Sequence, residues 1–154
     1  MFTITTAEQM NEFGRVVARH LRRGDVVCLT GELGAGKTTL TRGLGDELLV
    51  RGTVTSPTFV IARTHPSASG VPLVHVDAYR LTNAAELEDL DLDWENSIAV
   101  VEWGAEMLDT IVDEWLELVI ERSHSAEDET RTVTVHAHGP RGVELADAIG
   151  RSWQ

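Results

Sequence analysis

The sequence predicts an α/β domain with a central, mostly parallel mixed sheet flanked by helices, and with antiparallel strands late in the chain. Three observations predict it. The apolar run Asp25-Val26-Val27-Cys28-Leu29-Thr30 reads as a buried parallel strand. It runs into Gly31-Glu32-Leu33-Gly34-Ala35-Gly36-Lys37-Thr38, which fits G-x-x-x-x-G-K-[ST], the loop of P-loop NTPase-like domains. Leu40, Leu44 and Leu48 then recur on one helical face, and later β-branched runs alternate with helical patterns.

Taken in order, Phe2-Thr3-Ile4-Thr5 reads as a short strand. Thr6 and Gln9 form a capping box that opens a helix reaching Leu21, with Met10, Phe13, Val17 and Leu21 on one face and Gly24 as its stop. The helix after the glycine loop runs from Thr38 to Leu49, with Gly43 and Gly45 weakening its middle. Gly52 to Thr58 is extended and turn-like, because Pro57 keeps Ser56 out of the helical region. Phe59 to Arg63 is a strand, His65 to Gly70 a turn, and Leu73 to Val76 another strand. Asn83 and Glu86 cap a short helix ending near Leu90. Ile98 to Val101 is a fully apolar strand, and residues 105–114 read as helix. Leu116 to Ile120 and Thr132 to His136 alternate as late strands around the acidic loop Ser123 to Thr130, and Val143 to Ile149 closes as a helix. No linker or repeat divides the chain, so one domain is expected over 1–154.

Composition narrows the function classes. The formal net charge of −12 repels phosphate backbones, so any nucleic acid is expected to enter through another protein. No run has the length of a membrane span, and Met1-Phe2-Thr3-Ile4 lacks the basic-then-apolar pattern of a signal segment. Cys28 is the single cysteine, so no internal disulfide forms, and in an apolar strand it reads as a core residue rather than a nucleophile. A reducing cytoplasm is the expected compartment, with no membrane and no disulfide-linked partner.

The chemistry is carried by the loop. Lys37 is the only lysine among thirteen basic Lys and Arg residues; the other twelve are arginines. A compact ammonium stands where a phosphate needs a point charge rather than a planar fork. Glycines at 31, 34 and 36 let the backbone wrap an anion, and successive N–H groups with the following helix N-terminus hold a β-phosphate. Lys37 would bridge β- and γ-oxygens, and the Thr38 hydroxyl would ligate Mg²⁺.

Two apolar strands end in an acid, Leu73-Val74-His75-Val76-Asp77 and Ile98-Ala99-Val100-Val101-Glu102. Acids beyond the carboxyl ends of an α/β sheet hold Mg²⁺ or orient the attacking water, and spacing does not decide which of the two does which. Arg80 pairs with Asp77 or reaches the γ-phosphate, the pairing being favoured, and Trp103 stands at the rim. His136 and His138 share a strand face, but no third metal ligand accompanies them. Glu86 to Glu95 interleaves six acids with Leu87, Leu90, Leu92 and Trp94, a solvated amphipathic helix or, alternatively, a docking face.

Four pieces in series resemble one family, the small ATPase TsaE (formerly YjeE) of tRNA threonylcarbamoyladenosine biosynthesis. They are Gly31 to Thr39, Ser56-Pro57-Thr58-Phe59, Asp77-Ala78-Tyr79-Arg80-Leu81 and Glu102-Trp103, and their intervals fit across roughly residues 1–120. Glu32 stands where Asp is frequent, and Gly104 where Pro is frequent. The resemblance implies an ATPase, weak alone, that works with TsaB and TsaD-type partners, the transferase pair that modifies adenosine in the anticodon loop; tRNA is then met only through the complex. ATP and Mg²⁺ are the implied cofactors. By the same resemblance, Gly31, Glu32, Leu33, Gly34, Ala35, Gly36, Lys37, Thr38 and Thr39 bind phosphates, and Thr38 and Glu102 are Mg²⁺ ligands. Ser56 and Thr58 sense the γ-phosphate, Asp77 supports water attack, and Trp103 is a site-adjacent aromatic. The first helix entrance (Thr6, Ala7) and Arg131 approach the nucleotide. The rivals are a small-molecule kinase, which needs an arginine-bearing lid where this chain has an acidic loop, and a non-hydrolysing nucleotide-dependent binding module.

Overall fold

The computed structural model describes residues 1–32, 34–52, 54, 61–123, 125 and 127–153. In chain order the elements are β1 (Phe2–Ile4), α1 (Ala7–Arg19), β2 (Val26–Thr30), α2 (Lys37–Glu47), β3 (Ala62–His65) and β4 (Leu73–Asp77). They continue with α3 (Ala84–Glu88), β5 (Ile98–Glu102), α4 (Ala105–Leu108), β6 (Trp115–Arg122), β7 (Arg131–His138) and α5 (Gly139–Ser152).

Among the described residues, seven strands form one sheet in the order β1-β7-β6-β2-β5-β4-β3. β6, β2, β5 and β4 are parallel, and β1, β7 and β3 attach to their neighbours antiparallel. The predicted sheet, parallel at the centre and antiparallel late in the chain, is the one observed. β2 lies at its middle with Val26, Val27, Cys28 and Leu29 buried, so both faces of the sheet need cover. One face packs Val27, Leu29, Val100, Leu116 and Leu118 against Phe13 and Val17 of α1, Leu40 and Leu44 of α2, and Leu145 and Ile149 of α5. The other packs Val26, Cys28, Val76, Ala99 and Val101 against Leu87 of α3 and Leu108 of α4.

Two glycines set how α1 and α2 meet. A Cβ on Gly14 would stand 2.0 Å from the Leu40 carbonyl oxygen, and one on Gly43 would stand 2.0 Å from that of Asn11. No side chain fits at either crossing point, and the backbones touch. The reading of Gly43 as a weak spot in its helix is therefore incomplete: the lost propensity is exchanged for a close approach. Around the crossing, Arg15 reaches Asp46 at 3.4 Å and Arg19 reaches Glu47 at 3.4 Å, exposed pairs of small energetic weight.

The caps follow the sequence with one variation. The Thr6 hydroxyl accepts from the Gln9 amide at 3.1 Å, and Gln9 reaches back to the amide and hydroxyl of Thr5 rather than to Thr6. Asn83 and Glu86 repeat this arrangement, with Glu86 accepting from Thr82. Several boundaries differ from expectation. The helix expected over 105–114 stops at Leu108, where the Thr110 hydroxyl takes the Met107 carbonyl at 3.0 Å and β-branched Ile111 and Val112 follow. α3 ends at Glu88, and Asp91 adopts φ 50°, so Glu86 to Glu95 is not one amphipathic helix. His65 belongs to β3 rather than to the turn after it, and α1 stops at Arg19. β6, β7 and α5 each extend beyond the predicted spans. Residues 59–60 of the predicted strand, and all of Gly52 to Thr58 except Gly52 and Val54, lie outside the described residues.

Candidate functional site

The candidate residues gather where β2, β4 and β5 end and α2 begins. Gly36 is the N-cap of α2, at φ +114°, a left-handed conformation closed to most side chains. It supplies no side-chain cap, so the first amides of an eleven-residue helix are left without an intrahelical partner at the positive end of the helix dipole. That is a ready seat for an anion.

Lys37, the first residue of α2, is buried at 7% exposure. Its ammonium turns back to donate to the Gly31 carbonyl and, at 3.1 Å, to the Glu32 carbonyl, so the loop closes on its own cation. The Trp103 ring covers it, with Nζ 5.1 Å from the ring centroid. Burial pushes the Lys37 pKa below its ordinary value, while Glu102, Asp77 and Glu32 hold it up. Trp103 itself has φ 62°, a costly conformation for a bulky residue; its amide donates to the Leu29 carbonyl at 3.0 Å, and its ring meets Tyr79 with centroids 5.7 Å apart.

The two strand-end acids are direct neighbours. Asp77 pairs with Glu102 across the parallel β4–β5 ladder, and Glu102 also stands opposite Leu29 of β2. Asp77 accepts the Tyr79 amide at 3.0 Å through Oδ1, which turns the chain away from the sheet. Glu102 is buried at 4% exposure and is bonded through Oε2 to Nε2 of His75, 2.7 Å away. Sequence reasoning passed over His75, because two apolar residues flank it in a strand. Its signal was the position two residues before Asp77, on the same face of β4.

Of the remaining candidates, Ala7, Gly34, Ala35, Gly36, Thr39 and Arg131 line a pocket of about 220 Å³ behind the loop, together with Thr6, Met10 and Glu129. Arg131 braces the loop by donating to the Ala35 carbonyl at 3.2 Å. Thr38 lies half-buried in the first turn of α2. Leu33, Ser56 and Thr58 lie outside the described residues. His138, one of the two histidines on β7, stacks on Trp115 with centroids 3.8 Å apart. A larger cavity, of about 730 Å³, lies at the opposite end of the sheet, where Arg141 grips Asp25 through two bonds of 2.9 and 2.8 Å.

Among the described residues no group of three or more His, Cys, Asp or Glu side chains is arranged to hold a metal unaided. The donor set suits Mg²⁺ nonetheless: a hydroxyl and one or two carboxylates, all oxygen, with the remaining positions left to phosphates and water. Asp77 and Glu102, side by side, fit that requirement.

Comparison with known proteins gives a family. A family model described as "Threonylcarbamoyl adenosine biosynthesis protein TsaE" matches residues 4–133. The chain belongs to the TsaE family. The TsaE match spans every candidate residue from Ala7 to Arg131 and leaves α5 outside. The TsaE of Streptomyces coelicolor, a tRNA threonylcarbamoyladenosine biosynthesis protein, is 58% identical over 137 residues, covering 86% of this chain and 93% of the relative. The TsaE protein of Bacillus subtilis is 35% identical over 147 residues, covering 94% and 89%. The crystal structure of YdiB from Bacillus subtilis superposes with a TM-score of 0.78 at 29% identity, over 98% of this chain and 93% of that one.

Proposed function

We propose that this TsaE-family protein binds and hydrolyses Mg²⁺-ATP and, through that cycle, acts on a TsaB–TsaD-type transferase pair. Its process is tRNA threonylcarbamoyladenosine biosynthesis, the description carried by its family and its curated relatives. The observation that carries the ATPase reading is the position of Lys37, at an uncapped helix N-terminus, beneath Trp103 and beside Asp77 and Glu102.

The roles are those that the family resemblance implies, and each group present has the chemistry its role needs. Lys37 exchanges its bonds to the Gly31 and Glu32 carbonyls for charge-assisted bonds to phosphate oxygens, and the loop amides and α2 hold the same chain of phosphates. Thr38 and Glu102 would hold Mg²⁺, which would supply positive charge against the charge that builds on the phosphates. Asp77 orients a water and takes up its proton as the water oxygen bonds to the γ-phosphorus and the bridging oxygen leaves with ADP. Trp103 shields the ammonium from solvent, and Arg131 fixes the loop through Ala35. Ser56 and Thr58 sense the γ-phosphate. The charge of −12 supports contact with tRNA through the partner proteins rather than directly.

The test is phosphate release with and without the purified transferase pair. A slow rate alone, raised by the pair and lost in K37A, D77A and E102A, is expected. A rate indifferent to the pair makes the protein a stand-alone enzyme, and calorimetry showing no heat with nucleotide and Mg²⁺ overturns the reading.

A further inference from the structure

His75 is wholly buried, at 0% exposure, in the middle of β4. Its Nδ1 is buried with no hydrogen-bond partner among the described residues. A buried ring nitrogen without a partner is costly, and the same-face neighbours Leu73 and Val100 show that apolar side chains suit this part of the sheet. Among the described residues, the one polar bond the ring makes runs to Glu102, Nε2 to Oε2, at 2.7 Å. A carboxylate that ligates a cation only accepts, so in that role Glu102 takes the bond from an imidazole that donates through Nε2. The register explains the contact. His75 pairs with Val100, which places Glu102 one step further along β5 on the same face, within diagonal reach of the ring.

We propose that His75 is a positioning residue for the metal: it anchors one oxygen of Glu102, so that the carboxylate keeps a fixed orientation and offers its other oxygen to Mg²⁺. The inference rests on the reading above, in which Glu102 is a Mg²⁺ ligand. A carboxylate buried at the end of a strand and tied through one oxygen cannot swing away from the cation, and outer partners of this kind set the affinity of the ligand they hold. His75 touches neither nucleotide nor metal in this arrangement. It acts through Glu102 alone.

The test uses nucleotide binding rather than turnover. ATP affinity is measured by calorimetry with and without Mg²⁺ on the full chain, and the ratio of the two constants reports the metal's contribution. In H75L that ratio is expected to fall by about 10- to 100-fold while metal-free affinity holds. In H75Q it is expected to be retained, because the Gln amide nitrogen lies the same number of bonds from Cα as Nε2 and donates in its place. H75N, polar but one bond too short, gives the same comparison where Leu perturbs folding. A ratio undiminished in both H75L and H75N overturns the role of His75, and so does an equal loss of metal-free binding. Wild-type protein that binds no nucleotide overturns the earlier reading instead.

Discussion

The indole of Trp103 lies over the ammonium of Lys37, 5.1 Å from ring centroid to Nζ, while the Trp103 backbone sits at φ 62°. The ring is thus held by a backbone conformation that costs an L residue roughly 1–2 kcal/mol. W103G is expected to be more stable than W103A by about 1 kcal/mol, because glycine adopts that φ without a Cβ penalty. Urea denaturation of the two variants decides it; equal stabilities would mean that the local strain is absent. Among the described residues Trp103 is the tryptophan that covers Lys37, whereas Trp94 lines the cavity at the opposite end, Trp115 stacks on His138 and Trp153 packs on Phe13, so nucleotide-induced fluorescence change is expected to vanish in W103F.

The contrast between two glycines tests the helix crossing. At Gly43 an added Cβ would stand 2.0 Å from the Asn11 carbonyl oxygen, whereas at Gly150, within α5, nothing lies within 4 Å. G150A is expected to stabilise the protein by about 0.5–1 kcal/mol through helix propensity. G43A gains the same propensity but is expected to destabilise by roughly 1–3 kcal/mol, because two backbones must separate. Denaturation midpoints with unchanged slopes give both signs in one experiment.

Cys28 is a core side chain on the face that α3 and α4 cover. Burial pushes its thiol up to about 11, with bonds to the Gly104 backbone and to Thr30 only partly opposing this. At pH 8 the folded protein is expected to leave a disulfide-exchange reagent unreacted, and the unfolded chain to consume one equivalent. Rapid labelling of the native protein would contradict the burial described here.

His65 gives stability a pH dependence. Burial lowers its pKa from the ordinary 6.5, His75 and Arg63 lower it further, and a bond to the Arg51 backbone works the other way. Its Nε2 is buried without a partner among the described residues. Below pH 6.5 the unfolded chain takes up a proton that the folded protein refuses. This contribution to stability is therefore intact above that pH and declines as the solution is acidified through it. Urea midpoints taken from pH 7.5 to 5 are expected to fall less steeply in H65L than in the wild type. Parallel slopes would remove His65 from the account.

The central sheet and the loop were legible because their signals are local. An apolar run, glycines at set intervals and a leucine face are each read within a dozen residues. The strand-end acids were legible as positions, but their pairing was not, since the Asp77–Glu102 register joins residues 25 apart in sequence. The His75–Glu102 bond depends on the same long-range register, and nothing beside His75 in the chain announces it. The helix expected over 105–114 failed for a local reason instead: Thr110 competes for the Met107 carbonyl, and the apolar spacing of Leu108, Ile111 and Val112 imitates helical periodicity. Leu49 at φ 57° and the end of α3 at Glu88 likewise reflect turns that propensity does not register.

The seclusion of Lys37 has a practical corollary. Apart from the terminal amine, the chain has a single primary amino group, and it lies on the inner wall of the candidate site at 7% exposure. Acylating or reductive-methylating reagents consequently survey one side-chain atom besides that terminus, without the background of surface lysines that blurs such footprints elsewhere. Occupancy of the loop can be followed by mass spectrometry as protection of that single adduct.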